Sequence, residues 1–405
     1  MKVWYLNHYC GSIEHPQEGR AYFLGREVVK NNISFTVICS SFHHLLKTEY
    51  VEPKNRITSR VIEGINFHWI KTKRYEGNGL GRFKNMLSYS IKLLEFLKKD
   101  IESPDVIICS SVHPYHIFSA YILSKWYKSK LVFEVRDIWP LSLHYLLNVN
   151  KSHPLYVVTK LFEMFSYKAS DGIITLLPSA NEHIRTYTRD DKPLLYLPNG
   201  SSDSVRWSEL SDLDAELIEL KKKYRRLVFH TGSIGIPNGV NLLVEAANSI
   251  SDREDVGFVI IGKGSELENL KNSVISEHIF FYPPVRKNQV QAVLRFADIT
   301  FCGSKYLPEL YTFGVSPNKI FDYMLSAKPI AFAVDAPLNP VRSSNCGLCC
   351  SADGTQVVSM IESLCSMSDE RLNELGLNGR NYLNSEHDFS VLAERFNHFI
   401  KGLLT

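Results

Sequence analysis

The stretch Gly314-Val315-Ser316-Pro317-Asn318-Lys319-Ile320-Phe321-Asp322-Tyr323-Met324 carries the residues best suited to hold an anion. Ser316 reads as a cap and Pro317 as a first-turn residue, and Ile320, Phe321, Met324 and Leu325 recur at helical spacing, so a helix is predicted to start at Ser316. Its first backbone N–H groups and the positive end of its dipole would face an open space behind a glycine-led loop, where a diphosphate fits. Lys319 would add positive charge, and Asp322, six residues in, lies far enough along to reach a ribose. The same residues also describe an ordinary capped amphipathic helix ending before Lys328-Pro329.

Two further glycine loops have the same chemistry. His230-Thr231-Gly232-Ser233-Ile234-Gly235-Ile236-Pro237-Asn238-Gly239 follows an apolar run and leads into Val240 to Ile250, and Ile261-Gly262-Lys263-Gly264 follows the next run. Gly232, Ser233 and Lys263 join Gly314, Val315, Ser316, Lys319 and Asp322 as candidate donor-site residues. Near the N-terminus, the Asn7 to Gly19 loop holds Gly11, Pro16 and Gly19 ahead of a helix that begins at Arg20, which suits close backbone approach to a ligand. Any strand-to-helix loop favours glycine as well. In Phe133-Glu134-Val135-Arg136-Asp137-Ile138-Trp139-Pro140, Arg136 and Asp137 fall where a strand ends, the position that faces the ligand crevice of an open sheet. A strand-end salt bridge is the alternative there.

The elements that must position these residues are short apolar runs alternating with helical patterns, the mark of parallel sheets with crossover helices. The first series of predicted strands covers residues 2 to 6, 33 to 39, 61 to 70, 105 to 109, 131 to 136, 172 to 176 and 194 to 197. Pro198-Asn199-Gly200-Ser201-Ser202-Asp203 reads as a linker. The second series covers Leu227 to His230, Val256 to Ile261, His278 to Phe281, Ile299 to Cys302 and Pro329 to Val334. Two doubly wound α/β domains follow: 1–199, 200–384 and a closing helix at 385–405 that could cross back to the first.

With 405 residues, 44% apolar and 12% aromatic, the chain suits two domains of ordinary size. No stretch approaches the run of about 18 apolar residues that crosses a bilayer, and Met1-Lys2-Val3-Trp4-Tyr5-Leu6 passes into polar residues without a signal core, so a cytoplasmic protein is expected. A net charge of +3 gives no reason to expect nucleic acid. The eight cysteines read as buried thiols; Cys346-Gly347-Leu348-Cys349 has metal-knuckle spacing but lacks a second pair, and no metal is expected. Residues 71 to 99 stand apart, with eight Lys or Arg against two Glu, and with Phe83, Leu87, Ile91 and Leu94 on one helical face. Such a helix either docks on anionic lipid or packs that face on the sheet with its lysines in water.

Taken together, these motifs resemble glycosyltransferase family 4, the retaining enzymes of the GT-B fold, and within it the branch that builds bacterial surface polysaccharide such as O-antigen and capsule. The resemblance spans nearly the whole chain and rests on the first loop with Arg20, Phe133 to Pro140, Leu197 to Gly200, Gly232 to Gly239, Ile261 to Gly264, and Ser316 to Met324 followed by Ala327-Lys328-Pro329. It implies two Rossmann-like domains facing each other across a cleft, with a UDP-sugar donor and a polyprenyl-diphosphate-linked glycan as acceptor. It also implies work at the inner face of the plasma membrane without a metal or other cofactor, and transfer of a sugar, N-acetylated amino sugars among the candidates. Asp322 would take the place of the second acidic residue of a paired motif and bind ribose hydroxyls. Val315 and Ser316 would donate N–H groups to the diphosphate, and Asp137 or Arg136 would stand where the family often has a histidine near the transferred sugar. Gly11, Gly19 and Arg20 would line the acceptor side.

The chain departs from the pattern at two places. The first acidic residue of the pair falls at Gly314, and Ser233, Ile236 and Asn238 stand where the phosphate loop usually has Arg and Lys, leaving Lys263, Lys319 and Arg136 as the remaining cations. A nucleotide-sugar epimerase of the same fold, or a catalytically degenerate partner subunit, are the competing expectations.

Overall fold

The computed structural model describes residues 1–12, 19–43, 55–77, 79–98, 101–189, 191–203 and 213–405. Pro16, with much of the loop before Gly19, and Asn78 and Lys99 of the basic segment lie outside them. Contacts divide the chain into two compact units, residues 1–198 with 389–405, and residues 199–388.

The first unit is built on β1 (Lys2–Leu6), β2 (Ser34–Ser40), β3 (Ile57–Ile62), β4 (Ile65–Ile70), β5 (Val106–Ser110), β6 (Lys130–Val135), β7 (Gly172–Thr175) and β8 (Leu194–Tyr196). Their spatial order is β3-β4-β2-β1-β5-β6-β7-β8, with every pair parallel except β3 and β4. The run 61 to 70, which reads as one strand, is a hairpin. Glu63 and Gly64 both take positive φ, 47° and 81°, as a tight two-residue turn between right-twisted strands requires. Buried on both faces, β5 is apolar almost throughout, whereas the edge strand β3 exposes Ser59, Arg60 and Val61.

Helices α1 (Arg20–Val29), α2 (Leu80–Lys92), α3 (Ile117–Tyr127), α4 (Trp139–Leu147) and α5 (Pro154–Ala169) connect these strands. Right-handed crossovers from β4 to β5, β5 to β6 and β6 to β7 all advance toward β8, so α2, α3 and α5 share one face of the sheet. On that face Trp4, Leu6, Ile38, Tyr89, Phe96 and Ile107 form a core. The other face carries α1 and the terminal helix Phe389–Gly402; Phe23 stacks on Phe389 at 5.3 Å and Phe35 meets Phe396 edge-on at 6.4 Å.

The second unit holds β9 (Arg226–Ser233), β10 (Val256–Lys263), β11 (Ile279–Tyr282), β12 (Ile299–Gly303), β13 (Ile330–Ala333) and β14 (Gly347–Cys350), all parallel, in the order β11-β10-β9-β12-β13-β14. The α/β class with two mostly parallel, doubly wound sheets is therefore the observed one. Sequence reading misses β14, since Gly347-Leu348-Cys349-Cys350 is short and half-buried at the sheet edge. Its cysteines are free thiols in a strand, and Cys39, Cys109 and Cys302 are buried within theirs. Burial pushes the Cys39 and Cys109 thiols well above the ordinary range.

Candidate functional site

In an open parallel sheet, ligands bind beyond the strand carboxyl ends where the strand order reverses. In the second unit that point lies between β9 and β12. Tyr323 ties the two together, its hydroxyl meeting the Thr231 N–H at 3.0 Å and the Phe301 carbonyl at 3.3 Å. At the neighbouring strand ends, Gly232 pairs with Gly262 and Ser233 with Lys263, with Gly232, Ser233 and Lys263 all exposed. A Cβ on Gly262 would lie 1.9 Å from the Gly232 carbonyl oxygen, so Gly262 is demanded by backbone packing, whatever binds beside it. Lys319 reaches over the same corner: its Nζ lies 3.3 Å from Asn238 Oδ1, and a Cβ on Gly232 would be 3.9 Å from its Cε.

Beneath this corner sits His230, fully buried, its imidazole held well below the ordinary pKa by burial and by the Lys319 charge. Burial also lowers the Lys319 ammonium, with the Cys302 thiol opposing. A cation that is partly desolvated gains when an anion approaches. Beside the glycine loop opens a cleft of about 390 Å³ lined by Gly235, Val240, Asn241, Glu266, Lys305 and Tyr306.

The helix expected from Ser316 begins later, at Asn318, and runs to Leu325 after Pro317. Ser316 is not its cap. The Ser316 hydroxyl accepts the Asn199 N–H at 2.9 Å and its carbonyl accepts the Asn199 amide at 2.7 Å, a competing partner that no local pattern reveals. Hence the segment after Pro198 is no loose linker. Asn199, Ser201 and Ser202 are buried, and Ser201 donates to Asp322 at 3.3 Å. Gly314 has φ 86°, and Val315 is half-buried beside it. Asp322 is buried, and both its oxygens lie 2.5 Å from Lys287 Nζ, a partner that sequence reading misses because it lies 35 residues away.

In the first unit, Arg20 points inward and not to the surface. It is buried, pairs with Glu134 at 3.0 Å, and donates to the Leu197 carbonyl at 2.8 Å and to the Pro198 carbonyl. Glu134 also accepts from Ser110 at 2.6 Å and from the Tyr5 hydroxyl. Burial raises the Glu134 carboxyl, but Arg20, Arg136, Ser110 and Tyr5 together overcome it and hold the group below its ordinary value. Arg136 thus contributes to this buried network from a half-buried position, while the neighbouring Asp137 is exposed. Gly19 precedes α1, and a Cβ there would lie 2.5 Å from the Phe23 ring; Gly11 is buried.

The reversal point of the first sheet lies between β1 and β5, and histidines occupy it. His8 follows β1, His113 and His116 follow β5, and His8 Nδ1 lies 2.8 Å from His113 Nε2. His8, His43, His113 and His116 are all fully buried. Burial, reinforced by mutual repulsion, holds His8 and His113 well below the ordinary imidazole range, and burial pushes His116 to about 4. The signal was available in the sequence as imidazoles just past two strands, yet only the sheet order makes those strands neighbours. Among the described residues, no group of three or more His, Cys, Asp or Glu is arranged to hold a metal ion.

Residues 225–367 match the family model of the group 1 glycosyl transferases. No curated protein sequence matches the chain. Among solved structures it is similar to sucrose-phosphate synthase from Thermosynechococcus elongatus, with 13% identity, a TM-score of 0.73, and 99% of this chain and 98% of that one covered. HepE of Anabaena in complex with UDP-glucose gives 13% identity and a TM-score of 0.67 over 99% and 100% of the two chains. WaaG, a glycosyltransferase involved in lipopolysaccharide biosynthesis, gives 14% identity and 0.66 over 99% and 100%. At such identities the likeness shows the fold, which is GT-B.

Proposed function

We propose that this chain is a glycosyltransferase that takes its sugar from a UDP-sugar. The observation that carries the reading is the convergence of Gly232, Ser233, Lys263 and Lys319 at one corner of the second sheet, inside the segment that matches the group 1 family. Lys319 and Lys263 would neutralise the diphosphate as it leaves, aided by the N–H groups of Val315 and Ser316, the Gly314 N–H being bonded to the Tyr311 carbonyl at 2.9 Å. A half-buried ammonium gains more from that developing charge than one fully in water. Asp322 would accept the ribose hydroxyls, with Lys287 shifting aside or sharing the carboxylate. We further propose that the reaction retains the anomeric configuration, needs no metal, and delivers the sugar to a polyprenyl-diphosphate-linked glycan of a bacterial surface polysaccharide at the inner membrane face. WaaG, which shares the fold, is a glycosyltransferase involved in lipopolysaccharide biosynthesis, in keeping with a surface-polysaccharide role.

A thermal-shift series with UDP, GDP, dTDP and their sugars tests the donor. Ligand at one hundred times its Kd stabilises by about 2.7 kcal/mol, a shift of several degrees. UDP compounds should give it and Lys319→Ala should reduce it. A response to GDP compounds alone overturns the donor. Interconversion of the free UDP-sugar without acceptor, followed by NMR, would mark an epimerase, and silence toward every nucleotide would mark a degenerate subunit.

A further inference from the structure

We propose that the outer face of the α2–α3–α5 layer docks on an anionic lipid surface. On α2 the core takes Met86 and Tyr89, followed by Leu93 and Phe96 beyond its end, so the row containing Leu87 and Ile91 is not the packing face. Ile91 is 66% exposed. On α3 Phe118, Ile122 and Trp126 stand one helical turn apart in a row, all exposed, with Trp126 at 65%. Phe118 joins α3 to α5 through Phe162 and Phe165, at 4.8 and 4.4 Å, and α5 adds exposed Val157, Val158 and Leu161. Of the 18 exposed large apolar side chains among the described residues, nine lie on these three helices. A monomeric surface seldom gathers so many in one place without a partner.

Charge selects the partner. Exposed Lys84, Lys125, Lys160 and Lys168 stand among these apolar residues, and the only carboxylate on the three helices is Glu163, which is buried and bonded to Tyr167. A second copy docking face to face would set ammonium against ammonium, since Glu95, just beyond α2, is half-buried and already lies 3.9 Å from Arg56. Lipid phosphates supply the missing charge, and the rows of Ile, Phe and Trp suit the acyl boundary. Among the described residues no helix is long and apolar enough to cross a membrane, so attachment here is from one side. This extends the basic segment at residues 71 to 99 to a surface centred on α3, and it requires neither donor nor acceptor.

Flotation of the full chain with phosphatidylcholine vesicles, with and without phosphatidylglycerol, tests it. Binding should need phosphatidylglycerol, fall with salt, and drop roughly tenfold or more in the Ile122→Ser, Trp126→Ser double variant. Lys84→Gln with Lys125→Gln and Lys160→Gln should weaken it and flatten the salt dependence. Because these side chains are exposed, unchanged melting curves will show that the variants fold. Wild type that stays unbound, or variants that float equally well, overturns the proposal. So does a wild-type dimer that the double variant dissociates without lipid, which would make the face a protein interface. The UDP response is read separately, so either conclusion can fail alone.

Discussion

Acidification should destabilise the first unit well before its carboxylates titrate. His8, His113 and His116 are neutral in the folded state, held so by burial and, for His8 and His113, by neighbouring imidazoles (His43 and His116 for His8, His116 and His8 for His113) and Arg82. Once unfolded, each regains the ordinary value of 6.5 and binds a proton. Folded pKa values below the unfolded ones mean full stability above pH 6.5, lost as the pH falls. For His116, with a folded value of about 4, the loss at pH 5 is about 2 kcal/mol, rising to about 3 near pH 4. His8 and His113 add in the same direction. Glu134 is held below 4.5, so its contribution vanishes only at more acidic pH and leaves the window from 6.5 to 5 to the imidazoles. Four of the five tryptophans, Trp4, Trp69, Trp126 and Trp139, fall in the first unit, so urea denaturation followed by fluorescence reports on it. Wild type should lose at least the His116 share between pH 7 and pH 5, and His116→Gln should recover about 2 kcal/mol of that difference. A midpoint indifferent to pH across this range, or an unchanged slope in His116→Gln, refutes the reasoning.

Arg20→Met leaves Glu134 buried without its cation and should cost about 3–5 kcal/mol, read in the same urea experiment. Lys287→Met strands Asp322 with the Ser201 hydroxyl; because Lys287 keeps 32% of its side chain in water, the cost should be smaller, about 1–3 kcal/mol by thermal melting, while the UDP response survives. Asp322→Ala should remove most of that response. Gly314→Glu, which restores an acidic residue on paper, should lower stability by about 1–2 kcal/mol without raising transfer rate, because φ at this position is 86°.

Most of the sheet architecture was legible because buried parallel strands are continuous apolar runs, as in Val106-Ile107-Ile108-Cys109 and Ile330-Ala331-Phe332-Ala333. Boundaries suffered where short-range pattern was ambiguous. Glu63-Gly64 split one apparent strand into two, and the four residues of β14 carried too little pattern to register. For the candidate site, Gly232, Ser233, Lys263 and Lys319 were each visible as residue types, and the fold does bring them to one corner. Partners distant in sequence were invisible. Lys287 beside Asp322, Asn199 beside Ser316 and Glu134 beside Arg20 are all fixed by tertiary packing, and each changes what its partner can do.

The displaced cap bears directly on anion binding. A serine capping the helix would have spent its oxygen on an N–H group in the first turn, the group a phosphate needs. Here the Ser316 hydroxyl is turned to Asn199, Pro317 has no N–H, and no side chain caps Asn318–Leu325. The Ile320 N–H turns back to the Pro317 carbonyl at 3.3 Å, but no side chain takes the other first-turn donors, so they and the helix dipole stay open to an anion, while Asn199 fixes the loop that precedes them. Gly314, in a conformation that side chains rarely adopt, belongs to the same backbone arrangement. In the proposed donor site the electrostatic task at the diphosphate would then fall to Lys319, Lys263 and the backbone.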